Sequence, residues 1–238
     1  MAVDKRSVSR PADTTPGPER KRAVGRPRSK GHSATGVSTE EDILLAAATL
    51  FYEAGFGSTS TYAIARAAGV SQAGMYHYFG NKHAILLDLL LRTVRPSVKF
   101  SGRLLERAEP ADVRLWALCA YDARLLAADP LNGGALYLLP ELGDARFAEF
   151  HTERAKLAGV YATLIEAVAR HSEVEADANL VFGLVESVIL RRRTATDPPL
   201  PDVDAVVERI ADAALRILGV PEARIIAVRD TARALIFR

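Results

Sequence analysis

Residues 59–82 read TSTYAIARAAGVSQAGMYHYFGNK, and their spacing describes two short helices joined by a tight turn. The first starts at a Thr59-Ser60 cap and carries Tyr62, Ile64, Ala65 and Ala68. The second is capped by Ser71 and carries Gln72, Ala73, Met75, Tyr76, His77 and Tyr78. Between them Gly69 stands where the chain must take a positive φ. Ala65 is small where two helices cross closely, and Ile64, Ala68, Val70, Met75 and Tyr78 fall where the inner faces meet. Helix-turn-helix DNA readers share this plan, in which the first helix braces a second that lies in the major groove.

Upstream, Ser38-Thr39 predicts a helix start, with Glu41 and Asp42 in the first turn where acidic groups suit the helix dipole. Ile43, Ala47, Leu50, Phe51 and Ala54 form one apolar face at helical spacing, and Gly55 ends it. Three helices between Ser38 and Phe79 would share one small core. Residues 1–37 hold nine Lys or Arg against three Asp or Glu, with several prolines and little apolar periodicity, and read as a disordered basic arm. Within the arm, Gly25-Arg26-Pro27-Arg28 resembles an AT-hook core, in which proline keeps the chain extended while Arg26 and Arg28 enter a narrow minor groove. A solubilising tail is the alternative reading of the same charge.

The whole chain of 238 residues carries a net charge of +2, so the part after the arm is mildly acidic, at −4. Basic arm and acidic body together point to a polyanionic partner for the arm. Alanine, leucine, arginine and glutamate dominate and β-branched alternation is rare, which favours an all-α protein. The longest apolar runs, Ile85 to Leu91 and Asn179 to Leu190, fall short of the roughly 20 residues of a membrane span. Charges and prolines, rather than the apolar core of a signal peptide, occupy the amino terminus. With Cys119 as the one cysteine, no internal disulfide can form. These features predict a cytoplasmic protein without a membrane partner.

The run Ile43-x3-Ala47-x2-Leu50-Phe51-x3-Gly55-Phe56, then Thr59, Ile64-Ala65, Ala68-Gly69-Val70-Ser71, then Tyr76-x-Tyr78-Phe79-x2-Lys82, resembles the amino-terminal domain of the TetR family of transcriptional regulators. The resemblance covers Thr39 to Leu90. It departs only slightly, with Tyr78 where the family often has His and His83 where Glu is common. It implies an all-α homodimer that binds a palindromic operator on double-stranded DNA and is released by a small-molecule effector. On that reading the arm occupies 1–37, a helix-turn-helix domain 38–83, and a helical effector-binding and dimerisation domain 84–238.

In the reader, Ser71 caps the recognition helix and offers a hydroxyl to a phosphate. Gln72 can pair with adenine in the major groove, and Ala73 and Gly74 allow close approach, with Ala73 able to touch a thymine methyl. The resemblance implies phosphate contacts for Tyr76 and His77. Lys82, Thr59 and Tyr62 are further phosphate candidates. Thr59 and Ser71 read equally as caps, and Tyr78 and Phe79 as core.

Beyond the reader, the pattern predicts a helix from Asn81 to Pro96, then helices over 111–128, 133–139, 144–171, 173–193, 204–218 and 222–236, with a loop over 194–201. Trp116, Tyr121, Tyr137, Tyr161 and Phe182 are candidate pocket residues, with core packing as their default role. They suggest an apolar or aromatic effector, and Glu186, inside an apolar run, is a candidate polar anchor. The helices around Leu180 to Leu190 and Val206 to Leu218, with Gly183 permitting close approach, are the candidate dimer surface. Internal packing would produce the same periodicity.

An enzyme is not indicated. The five histidines are scattered without metal-ligand spacing, there is no glycine-rich phosphate loop, and no cofactor or metal is expected. Two other readings stay open: an architectural DNA-binding protein acting without an effector, and a thiol-responsive regulator acting through Cys119.

Overall fold

The computed structural model describes residues 38–130, 132–169, 174–191 and 202–236. The arm with Arg26 and Arg28 lies outside the described residues, as does the predicted loop over 194–201. Among the described residues there is no strand. Helices α1 (Thr39–Glu53), α2 (Thr61–Ala67), α3 (Gln72–Tyr78) and α4 (Lys82–Leu105) build the amino-terminal part. Helices α5 (Ala111–Ala128), α6 (Ala148–Val168), α7 (Val174–Glu186), α8 (Val203–Ile217) and α9 (Glu222–Ile236) build the rest. Short 3-10 turns at Gly133–Leu138, Pro140–Gly143 and Ala145–Phe147 connect α5 to α6, and another, Ser187–Arg191, follows α7.

Local chemistry starts the first four helices. Ser38, Ser60, Ser71 and Asn81 each accept a backbone N–H three residues on, at 3.2, 3.1, 3.0 and 2.9 Å. Caps of this kind stabilise a helix by about 1 kcal/mol each. Gly69 takes φ +66° between α2 and α3, a conformation other residues adopt only with strain. Ile43, Leu44, Ala47 and Phe51 on α1 meet Ile64 and Ala65 on α2, Met75 on α3, and Ile85 and Leu86 on α4 in one buried core.

Two expectations are corrected here. Tyr78 is 45% exposed and only Phe79 next to it is buried, because α3 ends at Tyr78 and the chain turns inward one residue later. Helix α4 does not stop at Pro96 but continues to Leu105. A proline inside a helix removes one hydrogen bond and costs about 3 kcal/mol. Here the turns beyond it bury Ser97, Phe100, Ser101 and Leu104, and that packing outweighs the local penalty.

Helix α5 forms the centre of the second part. Its run Leu115 to Ala120 is buried, as expected of a helix covered on all sides, and α4, α6, α7, α8 and α9 all pack against it. The apolar stripe of α8, including Val207, Ile210, Ala214 and Leu215, is therefore spent inside the chain against α5. On α7, by contrast, Leu180 is 59% exposed and Gly183 faces open space. Near the start of the 3-10 turn after α5, Gly133 and Gly134 sit in close quarters. A Cβ on Gly133 would come within 2.9 Å of Thr93 Cγ2, and one on Gly134 within 2.9 Å of Ile189 Cγ1.

Candidate DNA interface and regulatory cavity

Helix α3 divides into two faces. Met75 is buried in the core, while Ser71, Gln72, Ala73, Tyr76 and His77 are exposed. Gly74 is half-buried, and its N–H is held by the Ser71 cap. Tyr62 on α2 stands 63% exposed. Thr61 links the two helices: its hydroxyl lies 3.1 Å from the Tyr76 hydroxyl and accepts from Gln72 Nε2 at 3.5 Å. Thr61 thus steadies two of the exposed side chains of α3. Of the three consecutive hydroxyl residues Thr59-Ser60-Thr61, Thr59 is buried, Ser60 is exposed and caps α2, and half-buried Thr61 alone bonds to side chains of α3.

Two candidates do not belong to this surface. Thr59 is buried, and its hydroxyl lies in hydrogen-bond reach of two carbonyl acceptors, Gly55 at 2.8 Å and Leu50 at 3.2 Å. Lys82 turns inward as well. Its ammonium donates to the carbonyls of Phe56, Gly57 and Thr59 at 2.8, 3.1 and 3.1 Å, and sits 4.5 Å above the Phe56 ring. With all three N–H donors used, Lys82 ties the loop after α1 to the start of α4.

Four of the candidate pocket residues converge. Tyr137, Phe182 and Glu186 line a cavity of about 20 Å³ with Thr93, Ser97 and Asp122, and Tyr161 donates to Asp122 Oδ2 at 2.8 Å. The Tyr137 and Thr93 hydroxyls are hydrogen-bonded to each other. Arg154 of α6, absent from the sequence expectation, completes the group. It pairs with Glu186 at 2.7 Å and lies over the rings of Tyr137 and Phe182. Burial pushes the Asp122 carboxyl up to about 7 and the Tyr137 phenol up to about 12, against opposing effects of the Ser97 and Tyr161 hydroxyls on Asp122 and of Thr93 and Arg154 on Tyr137. Burial raises Glu186 too, and Arg154 opposes that shift.

Trp116 and Tyr121 are not part of this group. Trp116 Nε1 donates to Asp212 Oδ1 at 2.8 Å in the core between α5 and α8. Tyr121 stacks on Phe100 with ring centres 4.1 Å apart. Tyr121 also borders a cavity of about 820 Å³ between α1, α4, α5 and the end of α9.

Residues 43–89 match the family described as bacterial regulatory proteins, tetR family. The crystal structure of Mycobacterium smegmatis AmtR is similar at 43% identity with a TM-score of 0.73, the match covering 90% of this chain and 99% of that one. The chain belongs to the TetR family of bacterial transcriptional regulators. A TetR family transcriptional regulator, PfmR from Thermus thermophilus, is similar at 25% identity and a TM-score of 0.62, over 73% of this chain and 97% of that one. A regulatory protein in the tetR family from Rhodococcus RHA1 has the same fold, with 21% identity and a TM-score of 0.63 over 78% of this chain and all of that one. No curated protein sequence matches.

Membership in the TetR family makes the amino-terminal helices a helix-turn-helix DNA-binding domain. Among the described residues no group of His, Cys, Asp or Glu could hold a metal, and no helix is long and apolar enough to cross a membrane. Cys119 is fully buried and burial drives its thiol far toward the protonated form, the opposite of what a reactive thiolate needs.

Proposed function

We propose that this TetR-family chain is a repressor that binds a palindromic operator as a homodimer in the cytoplasm and is released by a small molecule held in the cavity around Asp122 and Tyr137. The observation that carries this reading is the continuity of α4. Its first turn follows the recognition helix and is fastened by Lys82 to the loop after α1. Its later turns place Thr93, Val94 and Ser97 in the cavity wall. A ligand that favours one tilt of α4 would bias the spacing of two recognition helices in a dimer, through a coupling of about 1–3 kcal/mol.

Gln72 and Ala73 would read base edges in the major groove, Gly74 would let the helix come close, and Ser71, Tyr62, Tyr76 and His77 would hold phosphates. Arg26 and Arg28 would follow the adjacent minor groove. The dimer would form through the outer face of α7, where Leu180 and Gly183 are open, since the apolar stripe of α8 is already occupied. The direct test is the residence of the purified protein on its operator, titrated with candidate metabolites. Faster release with one compound and not its analogues is expected. If no compound alters residence, the effector half of this reading fails.

A further inference from the structure

We infer that the cavity is a cation site whose own Arg154 occupies the place of the ligand, and that the effector is a small organic cation carrying an alkylammonium or guanidinium head. This rests on the reading of that cavity as the effector site. The Arg154 guanidinium carbon lies 4.8, 5.2 and 5.8 Å from the ring centres of Tyr137, Phe182 and Phe150. Three aromatic rings with a carboxylate closing the side, here Glu186 at 2.7 Å, form the arrangement that recognises cations by ring quadrupole and charge together.

The charge balance favours the same ligand class. Asp122 and Glu186 both line the cavity, and Arg154 is the one cation among its lining residues. Asp122 is 4% exposed, and its Oδ1 accepts no hydrogen bond although it is buried. A buried acceptor left in that state calls for a donor. An anion drawn to Arg154 would meet the Glu186 carboxylate and the buried Asp122 side chain, whereas a cation meets that carboxylate, the open Asp122 acceptor and three rings.

Size and access fit an exchange. The open space of about 20 Å³ holds no more than a water-sized group, so a larger ligand enters only if the guanidinium leaves. The Arg154 and Glu186 side chains are 26% and 25% exposed, so the guanidinium has a route to solvent on the side from which the ligand arrives. The ligand head would then take the ring cage and reach toward Asp122 Oδ1. Because the Tyr137 hydroxyl is bonded to Thr93 of α4, displacement of that ring is felt on the helix that carries the reader.

The test uses the full chain, wild type and the variants Arg154→Ala and Arg154→Met, with calorimetric titration by n-butylammonium, methylguanidinium, butyrate and butanol. Removing the internal competitor is expected to tighten cation binding by about tenfold or more over wild type. Adding Glu186→Gln should abolish that gain, and butyrate and butanol should not bind. If Arg154→Ala is poorly folded, millimolar methylguanidinium should raise its melting temperature where sodium chloride does not, and failure of that rescue in both variants overturns the proposal. Butyrate binding that is lost with Arg154 overturns it as well. Cation binding without any change in operator affinity would uphold the cation site and sink the effector reading. Operator release by a neutral or anionic compound alone would do the reverse.

Discussion

Lys82 holds its ammonium nitrogen 2.8 Å from the Phe56 carbonyl oxygen and 4.5 Å from the centre of the Phe56 ring, so one side chain fastens the start of α4 to the loop that leaves α1. Replacing it with methionine keeps the stem and removes the donors. Lys82→Met should lower the unfolding free energy by about 1–3 kcal/mol, because three backbone carbonyls lose a charged partner. Operator affinity should fall with stability while its salt dependence stays that of the wild type. A slope shallower by about 0.9 would instead return Lys82 to the phosphate contacts.

Thr59 and Thr61 should separate stability from DNA binding. Thr59→Val removes a buried hydroxyl bonded to Gly55 and Leu50 carbonyls, and should cost about 1 kcal/mol in urea unfolding. Thr61→Val should leave the urea midpoint nearly unchanged and weaken the operator complex, since Tyr76 and Gln72 lose the group that steadies them. Equal behaviour of the two variants would contradict the assignment.

Gln72→Ala should lose about 1–3 kcal/mol on the cognate operator and relax the preference at one base pair. Binding measured on cognate and scrambled duplexes decides the point. A uniform loss on both removes Gln72 from base readout.

Asp122 sets a pH dependence. Burial raises its carboxyl from the ordinary 3.8 to about 7, so the folded state holds the proton more tightly than the unfolded one. The stability this provides is complete below the unfolded value, declines as pH rises, and is gone above about 7. Asp122→Asn, which stays neutral, should therefore be more stable than wild type at about pH 8, by up to a few kcal/mol, and should lose that advantage at about pH 5. Denaturant midpoints at the two pH values give the comparison, and parallel curves would show that Asp122 does not titrate in this range.

The buried thiol of Cys119 should not react with a maleimide in the native protein and should react once denaturant is added. An oxidant that spares the fold should leave operator binding unchanged. Labelling in the native state would reopen a thiol-responsive role.

The reader was legible in the sequence because its signals are local. Ser38, Ser60, Ser71 and Asn81 declare helix starts, Gly69 declares the turn, and the apolar spacing declares the faces. Helix α5 was plain as well, since Pro130 stands just beyond its end. The regulatory cavity was only half visible. Tyr137, Tyr161, Phe182 and Glu186 could be named as aromatic or charged groups on helices, but Trp116 and Tyr121 belonged to the same description and lie elsewhere. Arg154 carries no local mark. Its meaning comes from residues of α6, α7 and a 3-10 turn that meet only in the folded chain. The inward turn of Lys82 was hidden for the same reason, because its partners are carbonyls about 25 residues earlier, and a carbonyl leaves no trace in a side-chain pattern.

Pro96 gives α4 a mechanical property. The proline has no N–H for the Arg92 carbonyl, so the rod that spans reader and body has one missing rung, 14 residues from its first turn, or about 21 Å along the axis. Beyond it, Phe100 and Leu104 are clamped in the body, while the stretch before it carries the reader. A flexure at that rung of only about 5° would swing the far end by about 2 Å, with every other hydrogen bond of the helix kept. The residue that looked like a stop sign thus sets the fulcrum.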